Sequence, residues 1–167
     1  WVPTTSGLFR FPPLRSLDDF SKVQPLKVYT SREGLSGNEP FRLFQDSRGD
    51  LWISIISTPS DAYLNRWERA TDKIHSYPQS IALRHDSAPT AFQEDRAGNL
   101  WVGFYWGGLA RLRDGKFDTF TKADGIPPGM IRALHLDQKG RLWIASTEGG
   151  LGRIDDSALD HPKIVRY

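Results

Sequence analysis

Asp137-Gln138-Lys139-Gly140-Arg141-Leu142-Trp143 sets the reading of the whole chain, because its frame occurs twice more, as Asp46-Ser47-Arg48-Gly49-Asp50-Leu51-Trp52 and Asp95-Arg96-Ala97-Gly98-Asn99-Leu100-Trp101. All three copies read D-x-x-G-x-L-W, and Trp1 stands where a fourth copy would end. Successive tryptophans lie 51, 49 and 42 residues apart, an uneven stride that suits a repeat whose loops vary around a constant set of strands.

Further matches follow the tryptophans. Ser6-Gly7-Leu8-Phe9-Arg10, Gly107-Gly108-Leu109-Ala110-Arg111 and Gly149-Gly150-Leu151-Gly152-Arg153 share a Gly-Leu-x-Arg core, whereas Asp61-Ala62-Tyr63-Leu64-Asn65-Arg66-Trp67 keeps the leucine and arginine without the glycine pair. An aromatic strand running into a turn comes later, at Val28–Leu35 and again at Phe120–Ile126. The runs between these markers are short, alternating, rich in β-branched and aromatic residues, and bounded by Gly, Asp and Pro, which is the pattern of strands and turns. No stretch sustains a helical apolar period. In the best copy the strands are expected at about Ile131–Asp137, Leu142–Ser146, Leu151–Ile154 and Lys163–Tyr167. The Asp-x-x-Gly segment would join the first two as a tight turn, with Gly at positive φ and Asp accepting backbone N–H bonds.

Four short antiparallel strands per unit make the blade of a β-propeller. The fold class is therefore all-β: a partial β-propeller of about three complete four-stranded blades (31–79, 80–121 and 122–167) plus the last three strands of another (1–30). Trp1, Trp52, Trp101 and Trp143, with Asp46, Gly49, Asp95, Gly98, Asp137 and Gly140, are structural repeat positions. Each tryptophan is expected to wedge between blades with Leu51, Leu100 or Leu142 beside it. Propellers close with four to eight blades, so partners are expected at the open edges: the remaining blades of a larger propeller or a second copy of this chain.

Composition narrows the function. The chain has 167 residues, enough for one core, and its 22 Lys and Arg against 20 Asp and Glu leave a net charge of only +2, so no nucleic-acid partner is expected. No run of 18 apolar residues occurs and Trp1-Val2-Pro3-Thr4 has no signal-peptide character, so no membrane contact by this segment is expected. Without cysteine there is no disulfide, thiolate nucleophile or cysteine-ligated metal. His75, His85, His135 and His161 have no zinc spacing, and D-x-x-G-x-L-W lacks the ligand spacing of a calcium loop, so neither metal nor cofactor is expected. No nucleophile elbow, phosphate loop or dinucleotide fingerprint occurs, and no catalytic residue is assigned.

Ligand contacts are expected on the face that carries the second-to-third-strand turns and the inter-blade loops. That face gathers Arg32, Glu33 and Asn38 from one loop, His85 and Asp86 from another, Tyr105 and Trp106 from a turn, and Glu148 from the last copy. Tyr105-Trp106 offers aromatic faces of the kind that stack on sugars or other flat amphipathic ligands. His135, on an innermost strand, would line the channel.

These motifs resemble the two-component regulator propeller repeat, whose pattern runs D-x-x-G-x-L-W-[IV]-x-T, then G-G-L-x-R, then an aromatic strand. Trp101–Leu109 and Trp143–Leu151 carry the resemblance best, and it is weakest over about 58–88. It implies the periplasmic or extracellular sensor portion of a membrane-bound bacterial two-component protein, a histidine kinase in its parent. In such a protein the propeller itself is non-catalytic and senses a small-molecule or carbohydrate-related ligand. Two other functions share the architecture. Leu142-Trp143-Ile144 with Leu151-Gly152-Arg153-Ile154 is similar to streptogramin-lyase propellers, which would use a channel histidine, here His135, and magnesium. A protein-interaction or dimerisation scaffold would need no pocket.

Overall fold

Each Asp-x-x-Gly segment closes a hairpin, and the hairpins generate the architecture. The computed structural model describes residues 1–14, 16–56, 63–78 and 87–167, which form fifteen strands in four antiparallel sheets. The first sheet holds β1 (Val2–Thr4), β2 (Gly7–Arg10) and β3 (Lys27–Tyr29). The second holds β4 (Pro40–Gln45), β5 (Leu51–Ile55), β6 (Leu64–Glu68) and β7 (Lys73–Tyr77). The third holds β8 (Pro89–Glu94), β9 (Leu100–Phe104), β10 (Leu109–Arg113) and β11 (Lys116–Phe120). The fourth holds β12 (Ile131–Leu136), β13 (Leu142–Ser146), β14 (Gly150–Ile154) and β15 (Ile164–Arg166). Strands pair in chain order within every sheet, so each is a meander, the connectivity of a propeller blade.

The turn chemistry of the repeat is the same in all three copies. Gly49, Gly98 and Gly140 sit at φ of 84°, 80° and 80°, closing a turn in which Gly49 N–H donates to Asp46 O at 2.9 Å. One carboxylate oxygen of Asp46 accepts from the backbone N–H of Arg48 and Asp50, and the other accepts from the Trp52 indole Nε1 at 3.1 Å. Asp95 does the same for Ala97, Asn99 and Trp101, and Asp137 for Lys139, Arg141 and Trp143. The fixed six-residue interval from Asp to Trp therefore locks a turn to a core aromatic. Burial alone would push the Asp95 carboxyl up, but the donors from Trp101 and Asn99 outweigh it and hold it below the usual range.

The arginine of the Gly-Leu-x-Arg segment lies directly across from the tryptophan: Trp52 pairs with Arg66, Trp101 with Arg111, and Trp143 with Arg153. Each guanidinium rests over its indole, at 5.7, 5.3 and 5.4 Å from the ring centroid. An aromatic at or just past the end of each sheet's last strand completes the layer, with Trp1 beside Tyr29, Trp52 beside Tyr77, Trp101 beside Phe120 and Trp143 beside Tyr167, at 5.3 to 5.6 Å. The aromatic strand is thus the far end of one Asp–Trp–Arg–aromatic layer in each of the three four-stranded sheets. The second sheet, which lacks the glycine pair, adds Trp67, whose indole donates to Asp72 at 2.7 Å. Asp72 also accepts from Lys27 and Tyr29 of the first sheet.

Alternation corrects one expectation about packing. Trp52 does not pack with its own Leu51. Adjacent strand residues face opposite ways, so Trp52 shares a cluster with Leu100 of the next sheet, while Leu51 packs back against Leu8 and Tyr29. Trp101 likewise meets Leu142. Trp143 departs from the wedge expectation altogether: it is only half-buried, because no sheet lies beyond it among the described residues. A second departure is a 3-10 turn at Leu17–Lys22 between β2 and β3, where Ser16 caps the Asp18 N–H and Phe20 packs on Phe11. β15 is also shorter than the expected Lys163–Tyr167.

Candidate ligand-binding site

Tyr105 and Trp106 occupy the two central positions of the β9–β10 turn, in which Gly107 N–H donates to Phe104 O at 3.1 Å and Gly107 and Gly108 take φ of 89° and 82°. Side chains at central turn positions point outward, and Trp106 is 76% exposed. The turn itself is held firmly. Tyr105 N–H donates to Ala88 O at 3.1 Å and Trp106 N–H to the Ser87 hydroxyl at 2.9 Å, while the two rings meet edge to face at 4.8 Å.

The opposite wall is the β13–β14 turn with Thr147 and Glu148, and between the walls runs the inter-blade loop 127–130. Thr147 and Met130 exchange hydrogen bonds: Thr147 N–H donates to Met130 O, and Met130 N–H to Thr147 Oγ1, both at 3.0 Å. Gly149 N–H bonds Pro128 O at 3.0 Å. Gly129 has no alternative there, because a Cβ would lie 2.6 Å from Thr147 Oγ1 and its φ is 86°. The result is a groove of about 310 Å³ lined by Tyr105, Trp106, Gly129, Met130, Thr147 and Glu148. It pairs an exposed aromatic platform with a carboxylate and a hydroxyl, a combination able to stack on a flat apolar face and hydrogen-bond its rim.

Three of the expected residues, Tyr105, Trp106 and Glu148, therefore come together, and Gly129, Met130 and Thr147, which were not among the expected contacts, join them. The usable signal was the position of Pro127-Pro128-Gly129-Met130 in the inter-blade loop of the same face. Arg32, Glu33 and Asn38 do not line this groove. Glu33 accepts from the Thr30 hydroxyl and N–H at 2.6 and 2.8 Å, bonds that hold its carboxyl below the usual range, and Asn38 accepts from Ser31 N–H at 2.9 Å. Asp124 caps Thr121 in the same way one blade pair later, so this is the local architecture of an inter-blade loop. Arg32 is exposed nearby, and His135 is exposed on β12 away from the groove. His85 and Asp86, Asp61 and Ala62 of the divergent repeat, and the 79/80 boundary lie outside the described residues. Among the described residues no three His, Cys, Asp or Glu side chains gather as a metal site, and no helix is long and apolar enough to cross a membrane.

Residues 125–148, from the inter-blade loop through β13 to Glu148, match the family model for the two component regulator propeller. That stretch is similar to one two-component regulator propeller repeat. The propeller resembles the extracellular domain of a putative hybrid two component system from B. thetaiotaomicron, with a TM-score of 0.66 at 21% identity over 86% of this chain and 18% of that one. It is also similar to virginiamycin B lyase from Staphylococcus aureus (TM-score 0.64, 18% identity, 98% of this chain and 56% of that one). A third similar structure is PorZ, a bacterial surface component of the type-IX secretion system of Porphyromonas gingivalis (TM-score 0.61, 14% identity, 86% and 23%). At these identities the likeness concerns the propeller fold, and this chain spans less than a fifth of the two-component domain. No curated protein matches the sequence.

Proposed function

We propose that this chain is a non-catalytic, ligand-sensing propeller segment from the extracytoplasmic part of a bacterial two-component signalling protein. Its ligand, a small molecule with a flat apolar face such as a carbohydrate, would lie in the groove between the Tyr105-Trp106 and Thr147-Glu148 turns. The observation that carries this reading is Trp106, 76% exposed on a turn pinned by Ser87 and Ala88 and lining a groove with polar groups on its far wall. With Tyr105 also half-exposed beside it, the indole belongs to a contiguous exposed aromatic patch rimmed by polar groups, the kind of surface that marks a binding groove. His135, which a lyase reading would need as its base, does not line this groove. The extracytoplasmic location is supported by the two-component propeller repeat and by the extracellular domain the fold resembles.

The test is calorimetric titration of the chain with a panel of neutral and acidic oligosaccharides, alongside Tyr105→Ala and Trp106→Ala. Both substitutions should weaken binding by about tenfold or more while the thermal midpoint stays unchanged, since base–aromatic and sugar–aromatic platforms act by contact area rather than by supporting the core. Unchanged affinity in Trp106→Ala would sink the proposal.

A further inference from the structure

The three innermost strands share an irregularity that the groove does not use. β4, β8 and β12 each carry a bulge at the same place, between Pro40 and Leu43, Pro89 and Ala91, and Ile131 and Ala133. A bulge re-aims a side chain, and here the re-aimed positions are Arg42 after Phe41, Thr90, and Arg132. Thr90 is spent on the fold: its hydroxyl donates to Ile131 O at 2.6 Å and ties one blade to the next. The two arginines are not. Arg66, Arg111 and Arg153 of the repeat each lie by a carboxylate, whereas Arg42 and Arg132 are exposed and no hydrogen bond or ion pair engages them among the described residues.

Both residues nevertheless border the same space. Arg42 and Arg132 line a depression of about 210 Å³ at the channel mouth, with Phe41, Ile56, Tyr105 and Met130 as its apolar walls. They also line the next depression along the inner strands, about 230 Å³, over Phe44, Phe92 and Leu134. Among the described residues, no carboxylate borders either one. Arg42 lies over the Phe41 ring at 4.7 Å, a contact that limits its conformations. Two like charges on residues that border one partly apolar hollow repel each other, and an oxyanion bound there relieves that repulsion while matching the guanidinium fork.

We propose that the channel mouth binds an oxyanion, a carboxylate, sulfate or phosphate group of the ligand, between Arg42 and Arg132. This goes beyond the groove reading and does not depend on it, because the arginines lie outside the groove. Tyr105 and Met130 line both spaces, so one acidic ligand can reach across Tyr105, with its charge at the arginines and its ring toward Trp106.

The experiment is an NMR titration of the 167-residue chain with sodium sulfate, sodium phosphate and sodium galacturonate, each at constant ionic strength set with chloride. Saturable shifts at Thr90, Arg132 and Met130 amides are expected. Preference for sulfate or phosphate would identify a tetrahedral anion, and preference for galacturonate a carboxylate. Arg42→Gln and Arg132→Gln should each weaken the preferred anion by about tenfold, with an unchanged thermal midpoint. Trp106→Ala should leave the affinity for inorganic anions as it was, so failure of the groove reading and failure of this one are read separately. Non-saturable shifts, or equal affinity in the two glutamine variants, would overturn the proposal.

Discussion

Asp95 takes four N–H donors on one carboxylate, from the Ala97 backbone, the Asn99 backbone and side chain, and the Trp101 indole, and these hold its carboxyl below the usual range despite burial. A group whose pKa is depressed by folding adds stability above its unfolded value, near 4, and loses it as pH falls through the folded value. Thermal unfolding should therefore show a plateau from neutrality to about pH 5 and a decline below about pH 4. Asp95→Asn should lose about 1.5–3 kcal/mol at neutral pH, and its deficit against the parent should shrink as the pH drops below about 4. A deficit that stays constant with pH would remove the carboxylate from the explanation. Arg111 is the other residue with a large role. Fully buried over Trp101, it donates to Asp118 Oδ2 at 2.7 Å and to the carbonyls of Ser157 and Leu159 of the next blade. Arg111→Ala should cost about 2–3 kcal/mol by chemical denaturation, and Arg111→Lys should recover little of it, because a compact ammonium lacks the planar spread by which two guanidinium nitrogens reach separate acceptors. Full recovery by lysine would mean that charge alone matters there.

Blade spacing is set by elements meeting at close range. Gly103 in β9 faces Ile131 in β12, where an added Cβ would come within 2.5 Å of the isoleucine Cγ2. Gly103→Ala should lower stability by about 1–3 kcal/mol through overpacking, and that loss should be smaller in an Ile131→Ala background, which removes the clashing Cγ2. Additive losses would show that the two sheets do not meet as described. At this scale the sequence was most legible. D-x-x-G-x-L-W announced the hairpins of β4–β5, β8–β9 and β12–β13, because a turn needing positive φ and a side-chain acceptor admits few residues. What it left hidden was tertiary: that the same Asp holds the indole, that Arg66, Arg111 and Arg153 lie across from the tryptophans, and that each tryptophan meets the next sheet's leucine. The site was half legible for the same reason. Tyr105, Trp106 and Glu148 stood out as unusual turn residues, whereas Arg42 and Arg132 look like ordinary strand residues until the bulges beside them and the depression they share are seen.

The molecule as a whole presents one face that its interior shows to be built for covering. Leu109 is fully buried under the fourth sheet and Phe120 is 6% exposed, but their counterparts on the last sheet, Leu151 and Tyr167, are 45% and 62% exposed. The 167-residue chain alone should therefore self-associate through this face, with a weight-average mass by sedimentation that rises with concentration, and Leu151→Lys with Tyr167→Lys should abolish the rise. Concentration-independent monomer in the parent chain would show that the face tolerates water. Sensing through the groove is the claim on which the functional account rests, and the indole N–H signals in an NMR titration test it most directly. Trp52, Trp67, Trp101 and Trp143 donate to Asp46, Asp72, Asp95 and Asp137, whereas Trp106 faces solvent. Across an oligosaccharide panel that includes acidic members, the Trp106 indole should shift saturably with at least one ligand while the four bonded indoles hold still. No shift at Trp106 with any ligand, or shifts confined to the bonded indoles, would contradict the assignment of this groove as the sensing site.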